Sequence, residues 1–186
     1  IKHAFFDNGE FELKPSETYN DVGLNWDDES LLNTRRIYEP SDGWHWNGNQ
    51  NTEGLLWGGC VESIDEMLRH DVPIPTLEQF EDIVLMLETS EEIPTGEYVF
   101  RVMRALGERG ILRRVRGVLV GRPKAWEFNK QRTGEEKEAY RAEQRETILK
   151  AVRTYNTEIP VVQNLNFGHT DPQIPMPYGN GVKIDG

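Results

Sequence analysis

The chain has 186 residues, 32 acidic and 21 basic, with 37% hydrophobic and 10% aromatic side chains. This is enough apolar material for one globular domain, and it leaves no room for a membrane span or a disordered tail. The formal net charge of -11 sets a repulsive average field against phosphate backbones and anionic lipid, and so argues against nucleic acid or a membrane surface as partner.

Cys60 is the single cysteine, so no intramolecular disulfide is possible, and a reducing compartment, the cytoplasm, is the default expectation. The chain starts at Ile1 rather than methionine, without a signal-like basic and apolar run, which reads as a processed product or a piece of a longer protein.

Residues 1–57 carry few helical periods and many turn formers. Phe11-Glu12-Leu13-Lys14-Pro15 and Arg35-Arg36-Ile37-Tyr38-Glu39-Pro40 read as short strands. Ser41 to Asn49 sets Trp44, His45 and Trp46 between turn residues, as in a hairpin tip or an exposed loop that lines a pocket. After a glycine turn at Gly54 to Gly59, the spacing of Val61, Ile64 and Leu68 predicts a short helix reaching His70.

Ile83 to Leu87 is an unbroken apolar run closed by Glu88, the mark of a buried strand ending at an acid. Val99, Val102, Met103 and Leu106 repeat at helical spacing with Gly110 placed to stop the helix, and Val115 to Val120 reads as a strand. Gly134 to Tyr155 is charged and helical, with Tyr140, Ile148, Ala151, Val152 and Tyr155 as its apolar stripe and the other face solvated. Pro160 to Phe167 is a further strand running into Gly168-His169, and Ile174 to Asp185 suggests two short strands around an Asn-Gly turn. Without repeats or linkers, one mixed α/β domain is the simplest account.

Spacing disposes of several chemistries. His3, His45, His70 and His169 are scattered, none in a helical pair with a neighbouring acid, and one cysteine cannot build a thiolate cage, so no metal is expected. No stretch fits a Walker loop, and Gly179-Asn180-Gly181 lacks the third glycine and following helix of a dinucleotide site; no cofactor is expected.

Two ionisable residues stand at predicted strand ends, Glu88 and His169, 81 positions apart. A shared sheet would bring them to one edge, where a carboxylate accepting the imidazole N–H fixes the tautomer and leaves the other nitrogen to take a proton from a nucleophile. The alternative is a solvated strand terminus and a turn histidine. Ser16, Ser30, Ser41, Ser63 and Ser90 are all the serines, and none sits in a Gly-x-Ser-x-Gly elbow. Cys60 follows Gly58-Gly59 at a helix start, where the dipole would lower its pKa and make it a candidate thiol nucleophile; a small buried residue at a glycine turn is the competing reading.

Five motifs occur in a familiar order: Asp42-Gly43-Trp44; Glu53-Gly54-Leu55-Leu56-Trp57-Gly58-Gly59; Leu85-Met86-Leu87-Glu88; Gly117-Val118-Leu119-Val120-Gly121-Arg122; and Asn166-Phe167-Gly168-His169 followed by Pro175-Met176-Pro177-Tyr178-Gly179. Together they resemble the LD-carboxypeptidases, and more narrowly their microcin C self-immunity (MccF-like) branch, over almost the whole chain. The resemblance implies a cytoplasmic two-domain serine hydrolase that cleaves an amide bond near a carboxylate terminus. This chain is similar to its carboxy-terminal domain only, a mixed, barrel-like β-sheet with flanking helices.

Carried over by motif, Glu88 matches the triad glutamate and His169 the triad histidine, and the serine would lie in an amino-terminal domain absent from this chain. The resemblance further implies a small peptide or peptidyl-nucleotide substrate and a homodimer. Trp44, Trp46 and Trp57 are candidates to stack on an aromatic substrate group such as adenine, Trp44 foremost, with core or loop packing the competing reading of each. Cys60 departs from the family pattern, where asparagine commonly follows the glycine pair. The insertion holding Trp126 and Phe128 fits the immunity branch. A non-catalytic ligand-binding or dimerisation domain is the alternative from another class.

Overall fold

A computed structural model describes residues 9–186; Ile1 and His3 lie outside the described residues. The main sheet has six strands, β3 (His45–Asn47), β4 (Thr52–Cys60), β5 (Ile83–Glu88), β6 (Gly117–Gly121), β7 (Val161–Leu165) and β8 (Gly181–Ile184), in the spatial order β3-β7-β6-β5-β4-β8. The four central strands run parallel, and the two edge strands are antiparallel to their neighbours. The sheet curls into a half-barrel. A separate two-stranded ribbon pairs β1 (Thr18–Tyr19) with β2 (Glu39–Pro40). Helices α1 (Val61–Arg69), α2 (Gly96–Glu108) and α3 (Gly134–Tyr155) connect the parallel strands.

Side-chain alternation along the strands divides the core. Leu85, Leu87, Val118, Val120 and Val161 join Val61, Ile64, Val99, Val102, Met103, Leu106, Ile148 and Val152 in the helix-side layer. The opposite face gathers Leu56, Val84, Leu119, Val162, Leu165, Phe167 and Ile184, with Trp44 and Met86 packed against them. Fully buried Leu or Ile side chains contribute roughly 2 kcal/mol each, so the two layers dominate the stability. Because Val84 and Met86 point away from the helices, Glu88, two residues further along β5, projects on that same helix-free face.

The helices form where periodicity and caps agree. The Thr95 hydroxyl caps α2 by accepting from the Tyr98 N–H at 3.2 Å. Thr133 and Glu136 close a capping box at the start of α3. The buried face of α3 departs from the expected apolar stripe, since Lys137, Arg141 and Gln144 are buried beside Tyr140, Ile148, Ala151 and Val152. Lys137 and Arg141 are tolerated because Asp21 reaches them from the amino-terminal segment, and Gln144 donates to the Pro94 carbonyl at 3.0 Å.

Several strand expectations need correction. Residues 11–15 form no strand, and of residues 35–40 only Glu39–Pro40 pairs. His45–Asn47 is an edge strand on β7, not a hairpin tip, because its pairing partner lies more than 100 residues away. The supposed glycine turn before α1 is inside β4, the longest strand. Gly58 there has φ +137°, and a Cβ would lie 1.9 Å from the Met86 carbonyl oxygen, so glycine is what lets β4 approach β5. In the tail only Gly181–Ile184 is a strand, paired with β4.

Candidate active site

The carboxyl ends of β4 and β5 coincide: Cys60 stands opposite Glu88 in register. Such an edge, just outside the carboxyl ends of parallel strands, is where α/β sheets commonly hold their ligands. His169 reaches it from the segment beyond β7. Gly168 makes this possible, with φ +94° and a position where a Cβ would stand 2.8 Å from Glu88 Oε2.

The structure brings the two residues together. His169 Nδ1 lies 2.8 Å from Glu88 Oε2, and the Nε2 on the other side of the ring lies 2.8 Å from Glu91 Oε2. Each ring nitrogen thus faces a carboxylate, an arrangement that favours the protonated form of the ring. The hydrogen bond to Glu88 raises the His169 pKa above its ordinary value; burial opposes this, the charges of Glu88 and Glu91 add to it, and Lys124 works against it. The Glu88 side chain is 11% exposed and that of His169 36%, so the ring is held firmly and can still be approached.

The turn after β5 is fixed from behind. Glu62 of α1 accepts from the Ser90 N–H at 3.1 Å and from its hydroxyl at 2.7 Å. Ser90 is thereby engaged away from the histidine. A recess of about 350 Å³ lined by Glu91, Glu92, Glu127, Asn129 and Lys130 opens next to this turn. Neither Glu91 nor Glu62 was selected by sequence reasoning: an acid in a polar turn or on a helix carries no periodic signal, and the only hint was the run of acids following Glu88.

Cys60 does not fit an activated thiol. Burial pushes its pKa up to about 11, reinforced by its hydrogen bond to Glu62 at 3.1 Å and by the charge of Glu88. The helix dipole that favours a thiolate is outweighed by two acids and desolvation. His70, expected to lack an acidic helical neighbour, in fact pairs with Glu66 one turn earlier at 2.9 Å on the exposed face of α1. His45 pairs with Asp42 at 2.7 Å. In both pairs the acid is largely exposed, unlike Glu88.

The three tryptophans separate by environment. Trp57 is 9% exposed and packs edge-on against Phe80, with ring centroids 5.2 Å apart, in the helix-side core, so it is withdrawn from any ligand. Trp46 is exposed on the edge strand. Trp44 is half-buried on the helix-free face that carries Glu88, its indole N–H 3.5 Å from Asn166 Oδ1. Around it Arg122 is buried, donating to Asn164 Oδ1 at 3.1 Å and to the Ser41 hydroxyl at 2.8 Å. Asn164 in turn donates to Asp42 Oδ1 at 2.8 Å and to the Gly43 carbonyl at 2.6 Å, fixing the chain that presents Trp44.

Comparison with known proteins agrees with this architecture. The chain superposes on an MccF-like protein from Streptococcus pneumoniae in complex with AMP with a TM-score of 0.80 and 26% identity, covering 99% of this chain and 53% of that one. An MccF-like protein from Bacillus anthracis str. Ames matches at 21% identity and TM-score 0.69, with 93% and 47% coverage. The microcin C7 self-immunity protein MccF in complex with aspartyl sulfamoyl adenosine matches at 18% identity and TM-score 0.69, with 94% and 46% coverage, a likeness of fold. The chain therefore spans about half the length of the solved structures it matches. Among curated proteins no relative reaches significant similarity. The family model for the LD-carboxypeptidase C-terminal domain matches residues 53–184, from the second residue of β4 to the end of β8 and with both members of the Glu88–His169 pair inside it, so the chain belongs to the LD-carboxypeptidase C-terminal domain family.

Proposed function

We propose that this chain supplies the acid and the histidine of a serine carboxypeptidase or amidase whose nucleophile lies in a domain outside it. The observation that carries this reading is the hydrogen bond between His169 Nδ1 and Glu88 Oε2 at the carboxyl edge of the parallel strands. Family membership supports it, as does the lack of any strand-to-helix serine elbow in the sequence. In the reaction, neutral His169 accepts the serine proton at Nε2 as the serine oxygen attacks the amide carbonyl. It then hands that proton to the departing amine, and water releases the acyl group by the reverse use of the same nitrogen. Glu88 keeps Nδ1 protonated and stabilises the imidazolium formed on the way.

The substrate in this reading is a small peptide or a peptidyl or aminoacyl nucleotide. Relatives of the same fold are seen with AMP and with aspartyl sulfamoyl adenosine, and Trp44, half-buried on the face of Glu88, is the aromatic we assign to stacking on such a base. The test is kinetic. The 186-residue chain alone should hydrolyse neither an LD-peptide nor an aminoacyl sulfamoyl adenosine. A longer form carrying the serine domain should hydrolyse one of them and lose on the order of 10⁶ in kcat in His169→Ala. Hydrolysis by the chain alone, or a longer form indifferent to His169→Ala, overturns the proposal.

A further inference from the structure

The two carboxylates that bracket His169 are unequal partners. Glu88 ends a buried strand, has Gly168 pressed against it, and its side chain is 11% exposed. Glu91 sits on the turn beyond, its side chain 55% exposed, although its contact to Nε2 has the same length of 2.8 Å. The backbone that presents Glu91 is pinned through Ser90 to Glu62, and Glu92 N donates to Ser90 Oγ at 3.2 Å. The platform is therefore fixed while the Glu91 side chain itself faces solvent. An ion pair of that exposure is weak and screened by salt, so it breaks at little cost, whereas the enclosed contact to Glu88 does not.

Nε2 is the nitrogen that a base held by Glu88 must use. We propose that Glu91 is a displaceable latch on that nitrogen: it keeps His169 doubly protonated, hence unable to accept a proton, until an arriving hydroxyl takes its place. The inference rests on the acid–histidine reading above. Release has a simple proton balance. Glu91 swings away, the Nε2 proton passes to solvent, and a neutral ring remains with Nδ1–H still donating to Glu88 and a free lone pair at Nε2. The charged groups acting on the ring are Glu88 from β5, Glu91 from the turn and Lys124 from the connection after β6; the Cys60 thiol and Glu62 act on Glu88's neighbourhood instead, Cys60 standing opposite Glu88 in register. Only Glu91 is both on Nε2 and largely in water.

Glu91→Gln keeps the size and an acceptor oxygen while removing the charge. On the purified chain, diethyl pyrocarbonate, which modifies an unprotonated imidazole nitrogen, should label His169 in this variant about 3–10 times faster than wild type near neutral pH. The midpoint of the His169 ring signals, followed by NMR, should fall by about 0.5–1 pH unit. Unchanged labelling and an unchanged midpoint in Glu91→Gln overturn the latch. These readouts need no nucleophile, so they succeed or fail independently of the hydrolase proposal. In a longer, active form the same substitution should move the acid limb of kcat/KM to lower pH by the same amount, and an unmoved limb overturns a role for the latch in the reaction. A longer form that ignores His169→Ala while Glu91→Gln still speeds labelling defeats the hydrolase reading and leaves the protection of Nε2 standing.

Discussion

Two clusters of acids and bases in this molecule are built from the same contacts and placed in opposite surroundings. Beneath α3, the Asp21 carboxylate is fully buried between Lys137 at 2.9 Å and Arg141 at 2.5 Å, whose side chains are 5% and 2% exposed. The Tyr19 hydroxyl accepts from Arg141 at 2.7 Å and donates to Glu39 at 2.7 Å, while the guanidinium groups of Arg122 and Arg141 each lie 4.6 Å from the Tyr19 ring centroid. Burial and the donation to Glu39 push the Tyr19 phenol well above its ordinary pKa. At the carboxyl edge of the parallel strands the base is a titratable histidine, one of its carboxylate partners is in water, and the ring is open to approach.

The difference teaches what each can do. A cluster of permanent charges sealed from water holds its geometry at any physiological pH, and here it ties the amino-terminal segment to α3 and to the connection after β6, where Asp21 Oδ2 accepts from the Ala125 N–H at 3.1 Å. A half-exposed titratable ring can change its charge and its partner, which is what proton transfer requires.

The comparison can be broken most forcefully at Asp21. Asp21→Ala removes the buried carboxylate that Lys137 and Arg141 share, leaving them only the more exposed carboxylates of Glu39 and Glu138, and should cost about 3 kcal/mol, measured by urea unfolding at neutral pH. A loss under about 1 kcal/mol would mean that the buried cluster is no more structural than a surface pair. Gly168→Ala comes next. It strains a positive φ and drives a Cβ toward Glu88 Oε2, so a loss of about 1–3 kcal/mol is expected together with a lower His169 titration midpoint by NMR. An unperturbed midpoint would show that the pair does not depend on the close approach of residue 168.

Glu88→Gln should be milder in stability, about 1 kcal/mol or less once solvent screening is allowed for, and its sign with pH is fixed. The folded His169 pKa is raised, so the stabilisation is complete below the unfolded value near 6.5 and disappears as pH rises through the folded value. The stability gap between wild type and variant should thus be largest in mild acid and close above neutrality; a gap that widens with pH contradicts the assignment. Smallest of all is Glu66→Gln, which removes the exposed partner of His70 and should change stability by no more than about 0.5 kcal/mol, the control for an acid–histidine contact without enclosure.

Much of this was legible in advance, for reasons that differ by element. The runs at residues 83–87 and 115–120 read as strands because parallel strands buried on both faces become continuous apolar sequence, and 160–167 read as a strand from Val161-Val162; the strands formed are Ile83–Glu88, Gly117–Gly121 and Val161–Leu165. The bounds of α3 were legible from its run of charged residues and helical spacing, and the end of α2 from Gly110, which has φ +81°. β4 was hidden by Gly54, Gly58 and Gly59, residues that ordinarily signal turns; here Gly54 and Gly58 permit close strand approach and Gly59 holds a φ of +147°. β3 was hidden because its partner is β7, a pairing no local pattern announces. The buried face of α3 was misread because Lys137 and Arg141 look solvated until Asp21 arrives from the far end of the chain.

The amino-acid sequence by itself determined where the chain must bury its apolar surface, and so the helices, three of the four central strands and the placement of Glu88 at the end of one of them. Those features follow from local periodicity and from the alternation of side chains, which are short-range properties of a polypeptide. Tertiary structure decided the rest: that the two side chains meet at 2.8 Å across 81 residues, that Glu91 takes the opposite nitrogen, that Trp57 is withdrawn into the core, and that burial between acids raises the Cys60 pKa. Contact, enclosure and charge environment are created only when distant segments close on one another, and they set the proton affinity on which the chemistry of this site depends.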